Sequence, residues 1–168
     1  MKKFVLSIAI FYLFSVQSFS HVDHYTKYNF LEYELFRNNK SIGYHKFNFN
    51  RDSEKLSITS EVNFKITKLG VELYKYFAES EENYEKGVFK SYTSKTKQNK
   101  KNRYVNIKID PSNKHLIIDG SSYKGKADKD FIVGTWWNHE IIQSKAQISG
   151  ISGRIIEQTI TFIAEEEI

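Results

Sequence analysis

Apolar and polar residues alternate along most of this chain. Between residues 56 and 67, for example, Leu56, Ile58, Val62 and Phe64 alternate with mostly polar side chains. A period of two predicts a strand with one buried face. Eight segments are predicted as strands on this basis, and they span residues 31–36, 42–51, 56–67, 71–77, 88–98, 104–109, 115–119 and 154–164.

Short turn sequences separate these segments. Asn38-Asn39-Lys40 predicts a hairpin, because Asn tolerates positive φ. Gly70 marks a bend or bulge, Glu85-Lys86-Gly87 supplies turn chemistry, and Pro111 suits the second position of a type I turn. Strands joined by hairpin-length connections predict an antiparallel meander.

The alternation stops between Gly120 and Gly150. Residues 136–142 there have the spacing of a short amphipathic helix, with Thr135 as its N-cap. We expect this segment to cover one face of the sheet. The predicted fold class is therefore all-β with one short helix, in which a curved antiparallel meander forms a partly closed barrel.

The amino terminus has the pattern of a secretory signal peptide. Lys2 and Lys3 precede an apolar run from residue 4 to 14, and small residues at Ser18 and Ser20 suit a cleavage site. The run is too short to span a bilayer. We expect residues 1–20 to be removed and residues 21–168 to form a single domain in the periplasm, with no transmembrane span.

Composition excludes several classes. The 168 residues contain no Cys, which rules out disulfide scaffolds and thiolate chemistry. Charge is mildly basic, with 25 Lys and Arg against 20 Asp and Glu. Lys97, Lys100, Lys101 and Arg103 cluster near one turn. These side chains either form a solvated hairpin tip or contact lipid headgroups. Export makes nucleic acid an unsuitable partner.

Several motifs resemble a known family. The segment 36–49, FRNNKSIGYHKFNF, resembles the opening hairpin of a family of exported proteobacterial proteins classified as a domain of unknown function. Residues 73–76 (LYKY), 135–138 (TWWN) and 152–154 (SGR) are similar to its later motifs, although His139 stands where the family commonly has Pro. The resemblance implies a β-rich envelope protein, distantly similar to lipoprotein-carrier half barrels, and implies no reaction.

The resemblance also concerns the carboxyl end. Members of that family usually continue into further strands, whereas this sequence ends at Ile168. We expect one strand edge to be left without a partner, and an open edge can pair with another chain.

Catalytic motifs are not evident. Residues 139–143, HEIIQ, lack the second His of the zinc-protease motif His-Glu-x-x-His, so we reject a zinc protease. Glu79, Glu81, Glu82 and Glu85 are interpreted as a solvated face rather than as an acid and base pair. We predict no catalytic residue and no cofactor.

The expected mature terminus offers a possible metal site. Cleavage after Ser20 would leave His21 as the first residue, and an N-terminal His can chelate copper through its amine and imidazole. His24 or His45 could complete such a site, although chain termini are usually poorly ordered.

Aromatic residues suggest a binding role. The chain has 11 Tyr, 13 Phe and 2 Trp, and rings on a curved sheet can enclose an apolar cavity. We expect the protein to bind a lipid or other amphiphile. The alternative is a structural or assembly role, in which the open strand edge docks to an envelope protein. The expected ligand-binding residues are Phe47, Phe49, Phe64, Tyr74, Trp136, Trp137 and His45.

Overall fold

Most of the described chain lies in strands. The computed structural model describes residues 25–112, 114–161 and 163. The first eight strands form one sheet in which chain neighbours are sheet neighbours, and all pairs are antiparallel. These strands are β1 (Phe30–Arg37), β2 (Lys40–Asp52), β3 (Lys55–Lys68), β4 (Val71–Glu85), β5 (Val88–Gln98), β6 (Lys101–Ile109), β7 (His115–Gly120) and β8 (Lys124–Asp128).

The predicted all-β class and meander are confirmed. The sheet curls, but it does not close into a barrel, because β1 and β8 remain at its two edges. The first seven predicted strands correspond to β1 to β7, and β4 continues to Glu85, well beyond the predicted end at Phe77.

Two-residue turns set this topology. Both central residues have positive φ in Asn38–Asn39 (50° and 60°), Leu69–Gly70 (52° and 80°) and Lys86–Gly87 (54° and 73°). Turns with two positive φ values have a twist that matches the right-handed twist of the flanking strands. They therefore favour direct return of the chain into the neighbouring strand.

The register defines an inner face of the sheet. Phe49, Ile58, Glu82, Tyr92 and Ile107 lie opposite one another in one row across β2 to β6. Because side chains alternate between faces, every second residue of each strand joins this inner face. The remaining residues form the outer face.

A second, three-stranded sheet packs on the inner face. It contains β9 (Ile132–Gly134), β10 (Ala146–Ser149) and β11 (Ile155–Glu157), with β9 parallel and β11 antiparallel to β10. Strands β8, β9 and β10 were not predicted. Among the described residues of the predicted eighth strand, 154–164, only the three residues of β11 form a strand.

The predicted helix is largely wrong. Between β9 and β10 the chain forms a 3-10 helix only at His139–Ile142, after both Trp residues. Its N-cap is Asn138 rather than Thr135, and the Asn138 Oδ1 accepts a hydrogen bond from the Glu140 amide at 2.9 Å. No helix of the described residues is long and apolar enough to cross a membrane.

Two apolar clusters join the sheets. In the first, Val133 and Ile148 of the second sheet pack with Val105, Ile107 and Ile118 of the large sheet. The second cluster joins Trp137 to residues of β2, β3 and β4. The Tyr92 hydroxyl also donates to the Gly150 carbonyl at 3.0 Å. Residues 131–155 therefore cover part of the inner face.

Some predictions fall outside the described residues. The predicted signal peptide at residues 1–20, the predicted copper ligands His21 and His24, and residues 164–168 at the carboxyl end all lie there.

Close backbone packing at Gly120 provides a stability test. A Cβ at Gly120 would lie 2.5 Å from the Ser152 carbonyl oxygen, so the backbone would have to move. The three atoms nearest to a Cβ at Gly125 all belong to the Tyr123 side chain, with its hydroxyl at 2.8 Å. We predict that Gly120→Ala lowers the free energy of unfolding by about 1–3 kcal/mol, as measured by urea denaturation. Gly125→Ala is the matched control and should cost much less, and equal costs would contradict this packing.

Candidate ligand-binding site on the inner face

The inner face has a covered half and an open half. The expected binding residues are divided between these halves. Phe47, Phe49 and Trp137 belong to a buried core cluster. Phe64 and Tyr74 lie outside both core clusters of the described residues and are half-buried.

Trp137 is the centre of the covered half. Its side chain is 4% exposed, and its ring meets Phe49 and Tyr84 edge-on at centroid distances of 6.1 and 5.9 Å. The Trp137 Nε1 donates a hydrogen bond to the Glu82 carboxylate at 2.9 Å. Edge-on ring pairs are favourable, and a buried indole N–H usually finds a partner. Trp137 therefore anchors the covering segment to the sheet.

Glu82 is buried, which corrects the prediction of a solvated face. Glu79, Glu81 and Glu85 are exposed, whereas Glu82 is on the inner face and 2% exposed. Its carboxyl accepts from the Tyr84 hydroxyl at 2.5 Å as well as from Trp137. Burial raises the pKa of Glu82 to about 7, although these hydrogen bonds oppose the shift.

His45 lies where the covered half ends. Its Nε2 is 2.8 Å from the Ser60 hydroxyl, and its ring centroid is 4.1 Å from that of Phe47. Burial lowers the pKa of His45 to about 4, so the imidazole is neutral near pH 7. Across residues 25–112, 114–161 and 163, no group of three His, Asp or Glu side chains is placed to hold a metal ion.

A small cavity separates the sheet from its cover. Its volume is about 90 Å³, and its lining includes His45, Ser60, Tyr76, Glu82 and Trp136. Pockets for whole small molecules are typically about 300–1,000 Å³. The cavity can therefore admit only a small part of a ligand.

The open half is an aromatic surface at the far end of β3 and β4. Phe64 lies 5.8 Å from Tyr74 and 5.1 Å from Tyr76, measured between ring centroids. Gly43 of β2 lies opposite Phe64, and a Cβ there would be 2.0 Å from the Asn63 carbonyl oxygen. Only Gly allows the two strands to approach this closely. Tyr76 was not among the expected ligand-binding residues, although it is two residues from Tyr74 and lies on the same face.

Trp136 stands at the edge of this open half. It is 88% exposed, whereas its neighbour Trp137 is buried. The two indoles therefore point in different directions, and both residues precede the 3-10 helix. Trp136, Val62 and Tyr76 line the same cavity, so the exposed indole lies beside the aromatic surface.

The outer face has a different character. A shallow groove of about 580 Å³ crosses it, and most of its lining is polar, including Thr59, Glu61, Glu81, Lys95 and Asn106. Such a lining offers little apolar surface to a ligand. Of the two faces, the inner one presents the clustered half-buried rings.

Comparison with known proteins identifies a family. The family model described as Domain of unknown function (DUF6134) matches residues 33–168. No curated protein and no solved structure matches the chain.

We predict that Glu82 makes the fold more stable as pH falls towards 4.5. Its pKa is raised from an ordinary 4.5 to about 7, so the folded state retains a proton that the unfolded state has lost. This contribution is complete below pH 4.5 and disappears as pH rises through about 7. Relative to Glu82→Gln, wild type should gain up to about 3 kcal/mol of unfolding free energy over that range on acidification. Urea denaturation across pH measures this, and a difference independent of pH would contradict the burial of Glu82.

His45 should have the opposite pH dependence. Its pKa is lowered from 6.5 to about 4, so the unfolded state takes up a proton before the folded state does. Its contribution is complete above pH 6.5 and is lost as pH falls to about 4. Compared with His45→Gln in the same titration, wild type should lose stability on acidification. A gain in stability on acidification would contradict this prediction and would show that His45 is protonated in the folded state.

Proposed function

The chain belongs to the DUF6134 family, and we propose that it binds the apolar chain of an amphiphile from the cell envelope. The binding surface is the open half of the inner face, formed by Val62, Phe64, Tyr74 and Tyr76 with Trp136 at its edge. The observation that carries the proposal is this cluster of half-buried rings, which the second sheet leaves uncovered.

Apolar surface supplies the driving force for such binding. Removing apolar surface from water contributes about 25 cal/mol per Å². Phe64, Tyr74 and Tyr76 form one continuous set of ring contacts, so a single acyl chain can cover all three. The 90 Å³ cavity next to them is too small for the ligand as a whole. The ligand therefore lies along the face, and at most one end enters the cavity.

The source of the ligand follows from the proposed location of the protein. The basic and apolar pattern of residues 1–20 supports export to the periplasm. Envelope lipids are the abundant amphiphiles there. Fractionation of cells expressing the full chain, with sequencing of the mature amino terminus, tests this part of the proposal.

An assembly role is the second candidate, and the edge strand β1 favours it. Within the described residues, β1 pairs only with β2. Its Phe30, Tyr33 and Phe36 are 49%, 50% and 61% exposed. An exposed edge with apolar side chains is a template for pairing with another chain. A stable hetero-complex in extracts, lost on changing Tyr33 and Phe36 to Lys, would support this role.

Monomeric lysophosphatidylcholine is a suitable probe of the aromatic surface. We predict that Phe64→Ser/Tyr74→Ser binds it about tenfold more weakly than wild type, because two apolar contacts are lost. Tryptophan fluorescence provides the measurement. Since Trp136 is exposed and Trp137 is buried, binding should shift the emission of Trp136 to shorter wavelength.

Two variants serve as controls for this titration. Tyr104→Ser changes a partly exposed ring next to the outer-face groove and should leave the affinity unchanged. Trp136→Phe should remove the spectral shift. Native mass spectrometry of protein from the periplasmic fraction should show a co-purifying amphiphile. Bare monomer that also ignores the lysophospholipid would refute the proposed function.

A further inference from the structure

Three of the hairpin turns at one end of the large sheet lie beyond a single row of paired residues. Gly43 is opposite Phe64, Phe64 opposite Tyr76, and Tyr76 opposite Gln98, so the β1–β2, β3–β4 and β5–β6 turns all lie beyond this row. The turn segments 36–41, 65–75 and 97–103 contain nine Lys or Arg residues and one acidic residue, Glu72. We call these three segments the basic end.

The opposite end of the sheet is electrically balanced. Its turn segments 51–55, 85–90 and 110–114 contain five basic and four acidic residues. Lys86 pairs with Glu54 at 3.2 Å, and Lys90 pairs with Glu85 at 3.4 Å. The positive field is therefore concentrated at one end.

The basic end also contains a like-charge pair. Lys65 and Lys75 lie directly opposite each other on β3 and β4, and both are exposed. Like charges in direct cross-strand positions destabilise a sheet. An anionic surface against this end would attract both ammonium groups and so offset their mutual repulsion.

Leu69 is the tip of the β3–β4 hairpin. It is 96% exposed and has a φ of 52°, a conformation that costs most non-glycine residues roughly 1–2 kcal/mol. Asn and Gly suit such positions, and Asn occupies them in the turns at Asn38, Asn39 and Asn99. Leu69 therefore has both an exposed apolar side chain and an unfavourable backbone conformation. The turn needs this backbone conformation, but the conformation does not favour Leu, and the Leu side chain is almost fully exposed.

We propose that the basic end docks on an anionic lipid bilayer, with the Leu69 side chain inserted below the headgroups. Val71 and Leu73, which are 61% and 56% exposed, extend the apolar tip. Each Lys or Arg near an anionic membrane surface contributes about 1 kcal/mol to binding. Lysines close to an apolar tip match a bilayer, in which anionic headgroups lie over hydrocarbon. A soluble polyanion would offer no apolar region to contact Leu69.

Docking here is independent of the proposed ligand site but has a consequence for it. Phe64 and Tyr74 flank the β3–β4 hairpin tip on the same two strands. A protein docked through Leu69 would hold the aromatic surface next to the bilayer. Provided that the proposed function holds, the amphiphile exchanges with the membrane along this hairpin.

Leu69→Asn separates docking from folding. Asn is favourable at positive φ, so the variant should unfold at the same or a higher temperature than wild type. Its co-sedimentation with vesicles of phosphatidylcholine and phosphatidylglycerol should nevertheless fall about tenfold. Val88→Asn is the matched control at the opposite end, where Val88 is 48% exposed, and it should bind the vesicles as wild type does.

A second pair of variants tests the charges. Lys65→Gln/Lys68→Gln/Lys75→Gln should lower binding by on the order of 100-fold, whereas Lys55→Gln/Lys86→Gln/Lys90→Gln, with the same net charge, should have little effect. Wild type should bind vesicles of phosphatidylcholine alone much more weakly. Phe64→Ser/Tyr74→Ser should still bind vesicles. The docking proposal and the ligand-binding proposal can therefore be contradicted independently.

Three results would overturn the docking proposal. The first is that wild type fails to bind the anionic vesicles. The second is that the two triple variants bind equally. The third is that Leu69→Asn binds as wild type while the lysine effect persists, which would show electrostatic adsorption to the vesicles without insertion of the Leu69 side chain.

Discussion

The inner face of the large sheet presents more apolar surface than the covering segment can bury. Strands β3 and β4 contain 14 and 15 residues, whereas the second sheet has strands of three, four and three residues. Trp137, with its hydrogen bond to Glu82, fixes where this small cover lies on the sheet. One half of the face becomes core, and the half with Phe64 and Tyr74 remains accessible. The candidate site is therefore the part of the inner face that the second sheet does not cover.

Glu82 and His45 both line the cavity between the two sheets. Glu82 has its pKa raised by burial, and His45 has its pKa lowered by burial. Both therefore favour the uncharged form in the folded state, as expected for groups removed from water. The hydrogen bonds from Tyr84 and Trp137 satisfy the Glu82 carboxyl in the covered half. The same region thus combines an anchoring contact with sensitivity to pH.

Local patterns predicted the large sheet well, because alternation and turn chemistry are properties of neighbouring residues. Asn38–Asn39 and Lys86–Gly87 form the expected turns. Strand β8, with the sequence KGKAD, has little apolar alternation, and β9 to β11 are too short to give a pattern. Glu82 was misassigned because it stands in a run of acidic residues, although its parity with Tyr84 places it inside. Alternation places Phe47, Phe49 and Phe64 on one face, but nothing local distinguishes Phe47 and Phe49 in the core from Phe64 on the open surface. That difference depends on a long-range contact, the return of Trp137 to the sheet.

The open aromatic surface can be tested most directly by NMR with a bound ligand. Intermolecular nuclear Overhauser effects between the methylene protons of lysophosphatidylcholine and the aromatic protons of labelled protein report which rings touch the acyl chain. The account predicts contacts to Phe64, Tyr74 and Tyr76, and none to the buried rings of Phe47 and Phe49. Contacts confined to the outer face near Tyr104, or the absence of contacts at saturating ligand, would contradict it.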